Sequence, residues 1–340
     1  MNAPGFLKKR FRNPSVIMRR LSDPGVTMSP GKNVKKPMTN YIVQFGSGKP
    51  GELGTEKTER EVFKRIGIKN PKIGFAPFHH LFHGAANDWT LFQDLVQPLT
   101  SEKIQLMEFH EAKDLEALKK QILDCDIFVL GSGVCEPYLE FIFKNRLDTT
   151  FREFFKRGKS ILGYSAGSIA VCAQYIHVVF FREVLMHWKA ISQHLDQKEV
   201  DEFKQQMIHE PTLGSSELAE LLDSEDEVDP MDHPLSMDVF HVSKMSSMGF
   251  LPHIAMLPHY GEAIHATADH LRSAAINFPR YHHYGIPNGV TLFHTFEDQK
   301  LVSSEVVGQN RLPQLKVTRF FPKTTKEFSE GDKLPLSNEV

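Results

Sequence analysis

The chain has few cysteines, little net charge and no long apolar run. Only three of its 340 residues are cysteine, at positions 125, 135 and 172, and their spacing fits neither a disulfide framework nor a zinc motif. The formal net charge of −2 gives no electrostatic reason to expect nucleic acid as a partner. No stretch of about 18 apolar residues occurs, so we expect no membrane span. These shortages favour a soluble, cytoplasmic protein.

The amino-terminal 39 residues differ in composition from the rest. They carry nine Lys or Arg against a single acid, Asp23, and proline and glycine recur among them. No apolar segment of secretory-signal type occurs there. Because such a segment buries too little apolar surface to fold alone, we predict a disordered basic tail over residues 1–39. An organelle-targeting peptide and a tether to an anionic surface are the alternatives.

Strand and helix patterns alternate from Tyr41 onwards. This succession predicts a mainly parallel central sheet between two layers of helices, a three-layer α/β sandwich. In such sheets ligands bind beyond the carboxyl ends of the strands. The predicted strands are 41–45, 72–78 and 104–109, and the predicted helices are 56–66, 88–99 and 114–123.

The most informative motif is Gly163-Tyr164-Ser165-Ala166-Gly167. It follows a short apolar run and leads into small residues that are compatible with a helix, which is the strand–turn–helix context of a nucleophile elbow. This context predicts that the Ser165 hydroxyl is presented at a strand end. The backbone N–H of Ala166, at the start of the following helix, is then placed to bind an oxyanion.

A similar pattern occurs one predicted strand earlier. Residues 126–130 are apolar and end in Gly131-Ser132-Gly133, after which a helical pattern starts at Glu136. Two neighbouring strands that each end in a glycine turn would bring free backbone amides to one edge of the sheet. Glycines that serve only as turn residues are the alternative. Cys135 lies beside this turn and is either reactive or passive, whereas Cys125 and Cys172 are predicted to be core residues.

His259 directly follows a third predicted strand, residues 254–258. A histidine just past a strand end is placed to act as general base towards a serine at a neighbouring strand end. The chain contains 17 histidines, so it is the position in this scheme that singles out His259.

Together these segments resemble the family of aspartyl dipeptidase E and cyanophycinase. The resemblance runs from about residue 40 to about residue 310, through IGFAPF, DIFVLGSGVCEPYL, GKSILGYSAGSIAV, MGFLPHIAMLPHY and GIPNGVTLF. It implies a class I glutamine amidotransferase-like fold and a serine peptidase that needs no cofactor or metal. By this resemblance Ser165 matches the nucleophile, His259 the catalytic histidine, and Gly133 and Ala166 the donors of the oxyanion hole.

Two departures from the family pattern fall where substrate is expected to bind. The family usually has a run of glycines followed by Asn in the first turn, where this chain has Gly131-Ser132-Gly133-Val134. It also carries an acidic residue in a late turn, where this chain has Asn288. The resemblance therefore implies the chemistry more than aspartyl specificity. We expect Gly131, Ser132 and Asn288 to contact a small peptide substrate.

The third member of the catalytic group is expected between the serine and the histidine. The resemblance implies an acid in an Asp-x-Pro loop, and Asp232-His233-Pro234 has that form. Asp238 lies closer to the expected spacing from His259 and is the alternative. The whole stretch is acid-rich, so neither residue stands out on composition alone.

Two histidine clusters allow several interpretations. His79, His80 and His83 follow the second strand, and His79 and His83 have the spacing of two ligands on one helix face. We expect His79 to line the substrate pocket, with a surface or core position and a metal site as alternatives. His282 and His283 form the second cluster.

An insertion is predicted within the α/β domain of residues 40–310. Residues 177–232 depart from the compact family pattern, and their stretches 197–208 and 216–222 are amphipathic. From Glu217 to Asp232 there are eight acids and no Lys or Arg. These features predict an acidic, helical insertion, either a lid over the site or a solvated decoration. Residues 311–340 are expected to form a carboxyl-terminal extension.

The sequence thus predicts a serine-type peptidase that hydrolyses small peptides. Two other readings remain open at this stage. A catalytically silent binding or regulatory protein would keep the fold without the reaction. An α/β-hydrolase-type esterase would share the elbow and the order of serine, acid and histidine. The sequence does not specify the oligomeric state.

Overall fold

The architecture is a mixed α/β fold built around one large sheet. The computed structural model describes residues 37–78, 85–107, 109, 112–133, 135–180, 239–261, 268–308 and 314–336. The strands of the large sheet are β1 Thr39–Phe45, β2 Ile73–Phe78, β3 Gln105–Leu106, β4 Ile127–Gly133, β5 Ser160–Tyr164, β10 Thr291–Glu297 and β11 Lys300–Val307. Their spatial order is β11-β10-β1-β5-β4-β2-β3. The strands β1, β5, β4, β2 and β3 are parallel, and β10 and β11 add an antiparallel edge beside β1.

Helices cover both faces of this sheet. Their bounds are α1 Glu56–Ile66, α2 Ala85–Val96, α3 Leu115–Asp124, α4 Cys135–Lys144, α5 Leu147–Lys156 and α6 Ala166–Ala170. A further helix, α7 Ala268–Asn277, packs on the second sheet described below. Successive strand residues point to opposite faces, so Ile42 packs in the cluster of α3 to α6 while Val43 packs in the cluster of α1 and α2. The near-continuous apolar strands are explained by this two-sided burial.

Most of the predicted elements occur, with shifts at their ends. The predicted helix 56–66 is confirmed, and it ends at Gly67, whose φ of 76° closes the helix in the left-handed region. The predicted helix 88–99 is wrong at both ends, because α2 starts at Ala85 and gives way to a 3₁₀ turn, Gln97–Leu99, at Pro98. Proline lacks the N–H that would continue the α-helical bonding.

The predicted strand 104–109 is much shorter in the structure. Only Gln105–Leu106 pair with β2, at the edge of the sheet. Met107 donates one more backbone hydrogen bond to Phe75, and Phe109 then packs into the core beside Tyr138 with ring centroids 5.2 Å apart. The apolar run therefore reflects core packing more than strand pairing.

A second, four-stranded sheet is built from strands in the carboxyl-terminal third of the chain. It has the order β13-β12-β9-β8, with β8 Ile254–Pro258, β9 His282–Ile286, β12 Val317–Phe320 and β13 Thr325–Phe328. The strands β8 and β9 are parallel, and β12 is antiparallel to β9. The described part of the predicted extension 311–340 is thus paired into a sheet, where Val317 and Phe328 are buried.

The first residues of the segment 177–232, predicted to be an insertion, belong to a strand. Residues up to 180 belong to strand β6, Gln174–Phe180, which pairs antiparallel with β7, Val239–Ser246. The helical stretches 197–208 and 216–222 and the acidic run lie outside the described residues. The alternating apolar residues Ile176, Val178 and Phe180 fit a strand by their period-two pattern.

Two buried histidines have strongly lowered pKa values. His294, on β10, is fully buried between Gln44 Oε1 at 2.9 Å and Ser304 Oγ at 2.7 Å, and burial lowers its pKa to about 3. His283, on β9, is also buried, and burial lowers its pKa to about 4. Both side chains are therefore neutral in the folded protein at neutral pH.

The lowered pKa values of these two histidines predict that the protein becomes less stable as the pH decreases. Unfolding restores an ordinary histidine pKa near 6.5, so below that pH the unfolded chain binds protons that the folded chain rejects. We expect the free energy of unfolding to fall by about 1.4 kcal/mol per pH unit and per histidine between pH 6.5 and the folded pKa values. Denaturant titrations of wild type and His294→Gln over this range measure the difference in slope.

His253→Asn provides the control, because this histidine is exposed. The slope should become shallower in His294→Gln and stay unchanged in His253→Asn. Equal slopes in all three proteins would contradict the assignment of His294.

Candidate active site

The carboxyl ends of β1 and β5 meet at the backbone of Phe45 and Gly46. Ser165 N–H donates to Phe45 O at 3.4 Å, and His259 N–H donates to Gly46 O at 3.2 Å. Gly46 N–H in turn donates to Val290 O at 2.9 Å. Two consecutive peptide units therefore connect the serine turn, the histidine loop and the turn that contains Asn288.

Ser165 lies at the turn between β5 and α6, as the elbow motif predicts. Its φ of 47° and ψ of −110° fall in a region that residues with a Cβ rarely adopt. A Cβ on Gly163 would lie 2.4 Å from Gly167 C, and a Cβ on Gly167 would lie 2.2 Å from Leu130 O. The two glycines of the motif are thus required by close backbone contacts on either side of the serine.

The hydroxyl of Ser168 fixes the short helix that follows. It lies 2.9 Å from Phe45 O and 2.5 Å from Gly163 O, and Gln44 Nε2 donates to Ser168 O at 2.6 Å. A five-residue helix has few hydrogen bonds of its own, so these side-chain contacts stabilise it against the sheet. The Gln44 amide connects them to buried His294.

His259 approaches Ser165 from the second sheet. Its Nε2 lies 2.8 Å from Ser165 Oγ, and its φ of 57° turns the chain sharply after β8. The expectation of neighbouring strands in one sheet is therefore wrong, since β8 belongs to the sheet of β9, β12 and β13. The two side chains still meet, because Gly46 O holds the His259 backbone beside the end of β1.

Asn288 lies behind the imidazole. Its Oδ1 is 2.7 Å from His259 Nδ1, and the residue is 5% exposed. Its turn follows β9 and leads into β10, and Gly289 N–H donates to Ser47 Oγ at 2.9 Å. Sequence reasoning placed Asn288 in the substrate pocket and missed this contact. The sequence did hold a signal for a contact between this turn and the histidine, because the family that the sequence resembles carries an acid at this position.

The amide oxygen of Asn288 determines the state of the imidazole. An oxygen acceptor at Nδ1 requires the ring proton there, which leaves Nε2 to accept the Ser165 hydroxyl proton. This is the tautomer that a general base needs. The amide is neutral, so it orients the ring but adds no negative charge to stabilise the positive charge that the ring acquires on protonation.

Gly131 and Gly133, which precede the Ser165 turn by one strand, lie within β4 and not in a turn that follows β4. Residues 131–133 are the last part of β4, beside a register shift in its pairing with β2. A Cβ on Gly131 would lie 2.9 Å from Pro77 Cα, and Gly133 has a φ of 138°. The end of β4 borders α6, where Cys135 Sγ lies 3.8 Å from Ala166 O.

The remaining candidate residues from the sequence fall into two groups. His79, His80, His83, Asp232 and Asp238 lie outside the described residues. His282 and His283 are buried within β9, and all three cysteines are buried and unbridged. Burial raises the pKa of Cys125 and of Cys172 to about 12, and the prediction that both are core residues is confirmed.

Searches for metal and membrane features concern only the described ranges. No three His, Cys, Asp or Glu side chains come together there as a metal site would require. None of the helices in that part of the chain has the length and apolarity needed to span a bilayer.

The sequence matches no family model and no curated protein. A solved structure of a peptidase from an acI-B1 Actinobacterium has a similar fold, with a TM-score of 0.55 and 12% identity over 88% of this chain and 98% of that chain. A putative peptidase E protein from Listeria monocytogenes EGD-e has a TM-score of 0.45 and 10% identity over 78% and 98% of the two chains. The first similarity shows a peptidase-like fold.

The strained serine predicts an unusual order of stability among its variants. Ser165→Gly should unfold at a higher temperature than Ser165→Ala, because glycine adopts φ 47° without the strain of about 1–3 kcal/mol that a Cβ causes. Thermal melting of the two purified variants measures the order. At Ser160, in regular β5, the same pair should show the reverse order, since glycine weakens a strand. Alanine more stable at both positions would contradict strain at Ser165.

Proposed function

We propose that the chain is a serine-type peptidase that hydrolyses small peptides. The observation that carries the proposal is the 2.8 Å contact between Ser165 Oγ and His259 Nε2 at a strained strand-to-helix turn. A base within hydrogen-bond reach activates a serine hydroxyl for attack on a carbonyl. The fold shared with a solved peptidase supports the proposal, as does the sequence resemblance to the family of aspartyl dipeptidase E and cyanophycinase with its amidotransferase-like sandwich.

The proposed reaction uses only groups of the chain. Ser165 Oγ attacks the peptide carbonyl carbon while His259 Nε2 takes its proton, and the backbone amides of Gly133 and Ala166 stabilise the oxyanion. His259 then protonates the leaving amine, and water hydrolyses the acyl-enzyme. Loss of one oxyanion donor costs about 10²–10³-fold in rate, so the end of β4 contributes strongly. The reaction needs no cofactor.

Asn288 is the proposed orienting residue of the site. Its Oδ1 lies 2.7 Å from His259 Nδ1, which is the place of the third member of a serine–histidine group. Asp232 and Asp238 remain the alternatives that the sequence suggests. With a neutral amide behind the histidine, we propose a slower peptidase than one with a carboxylate there.

The neutral amide of Asn288 behind His259 favours a second candidate function. A chain that lost the carboxylate behind its histidine could also keep the fold as a silent binding or regulatory protein. The two candidates differ in the reactivity of Ser165, because a silent protein needs no activated hydroxyl.

Labelling with a fluorophosphonate probe tests the proposed function directly. Wild type should be labelled covalently, and intact-mass spectrometry should place the adduct on Ser165, because the probe reacts with an activated serine hydroxyl. Ser165→Ala and His259→Gln should lose the labelling. The control is Ser160→Ala, which changes a buried serine at the start of β5 and should be labelled like wild type. Absence of labelling in folded wild type would favour the silent protein.

Restoring a carboxylate behind the histidine should raise activity. We expect Asn288→Asp to hydrolyse a panel of Asp-X and other dipeptides about tenfold faster or more, because the carboxylate stabilises the imidazolium that forms in the transition state. Asn277→Asp, at the exposed end of α7, controls for the added charge. Asp232→Asn and Asp238→Asn should leave the rate unchanged. A large loss in either one, with no gain in Asn288→Asp, would assign the role to that aspartate.

A further inference from the structure

A buried glutamate lies directly behind the candidate site. Glu59, on the inner face of α1, is 1% exposed. Tyr164 OH donates to its Oε2 at 2.7 Å, Gly51 N–H donates to its Oε1 at 3.0 Å, and Thr55 Oγ1 lies 2.6 Å from Oε1. Tyr164 immediately precedes Ser165, while Gly51 and Thr55 belong to the loop of residues 46–55 that follows β1, here named the β1 loop.

The β1 loop contacts the histidine and the asparagine segments of the candidate site. Gly46 O binds the backbone of His259, and Ser47 Oγ binds the turn of Asn288. A Cβ on Gly48 would lie 3.0 Å from His259 Cε1, so the imidazole packs directly against this glycine. Movement of the loop would therefore change the position of the histidine.

The loop turns sharply and depends on contacts outside itself. Gly51, Leu53 and Gly54 have φ values of 72°, 58° and 75°, and of these only Leu53 carries a Cβ and is strained. Leu53 is 57% exposed and so adds little packing energy. Within the loop, Gly48 N–H donates to Glu52 Oε2 at 2.6 Å. The Glu59 carboxyl group connects the far end of the loop to the body of the fold.

A carboxyl group at this position is costly for stability. Burial raises the pKa of Glu59, although hydrogen bonds from Thr55 and Tyr164 oppose that shift. Thr55 Oγ1 also lies 2.9 Å from Glu52 O, so its hydroxyl group is within hydrogen-bond distance of two acceptor oxygens. An apolar residue on the inner face of α1 would avoid the desolvation cost altogether.

We propose that Glu59 is a positioning residue for the reaction at Ser165. It holds the β1 loop against His259 and, through the Tyr164 hydroxyl, fixes the strand residue that precedes the strained serine. The inference rests on the proposed function for its effect on rate, and on the fold alone for its effect on the loop.

The test compares the rate of fluorophosphonate labelling with thermal stability. In Glu59→Leu combined with Tyr164→Phe, apolar groups replace the polar pair, so the melting temperature should stay equal or rise. The maximal labelling rate should nevertheless fall about tenfold or more, because small displacements of reacting groups are costly in rate. Glu59→Gln, which keeps the shape of the side chain and a polar group towards Gly51, Thr55 and Tyr164, should label within about threefold of wild type.

Three further variants keep the test decisive. If the double variant does not fold, Tyr164→Phe and Thr55→Val each remove one hydroxyl contact and should slow labelling more than Glu59→Gln does. Asn40→Leu is the matched control, since Asn40 is a buried polar residue at the opposite end of β1, where its Nδ2 donates to Phe155 O at 2.8 Å. It should lower the melting temperature without changing the maximal labelling rate.

Hydrogen exchange of the β1 loop separates this proposal from the proposed function. Peptides that cover residues 46–55 should exchange faster in the double variant than in wild type or Glu59→Gln. If wild type is not labelled at all, the peptidase proposal fails, and faster loop exchange still supports the positioning role. Wild-type labelling and unchanged loop exchange in the double variant would overturn the role of Glu59.

Discussion

The candidate site depends on the backbone of two residues, Phe45 and Gly46, at the end of β1. Their carbonyl groups accept hydrogen bonds from the backbone N–H groups of Ser165 and His259, which come from two different sheets. A Cβ on Gly46 would lie 2.1 Å from Pro287 O, so only glycine permits the turn of Asn288 to come this close. Because each peptide unit is planar, the directions of these two carbonyl groups are set by the backbone of β1 and its first loop residue.

Several features near the site reduce stability, and each is connected to a reactive group. Ser165 and His259 both have positive φ values, of 47° and 57°. Glu59 is buried behind the preceding residue, Tyr164. Such strain and burial persist only where the surrounding structure enforces them, and they cluster at functional sites. This concentration at one edge of the sheet supports the proposed reaction there.

Asn288 is the chemical feature that distinguishes this chain. Its amide supplies the orientation that a histidine base needs, without the charge that a carboxylate would add. The proposed peptidase and the silent binding protein are both compatible with an amide at this position, and they differ in whether the oxyanion donors and the orientation of His259 suffice for turnover. A weakly activated serine with intact geometry is consistent with the contacts at the site.

The sequence by itself determined the parallel sheet, the helix at residues 56–66 and the serine turn, because these features follow from local periodicity and from the small residues that a tight turn requires. It also singled out His259 by its place after a strand. Only the tertiary structure decided that His259 comes from a second sheet and that Asn288 and Glu59 lie behind the site. Those contacts join residues far apart in sequence, such as Glu59 and Tyr164, and local patterns carry no information about which distant backbone will approach.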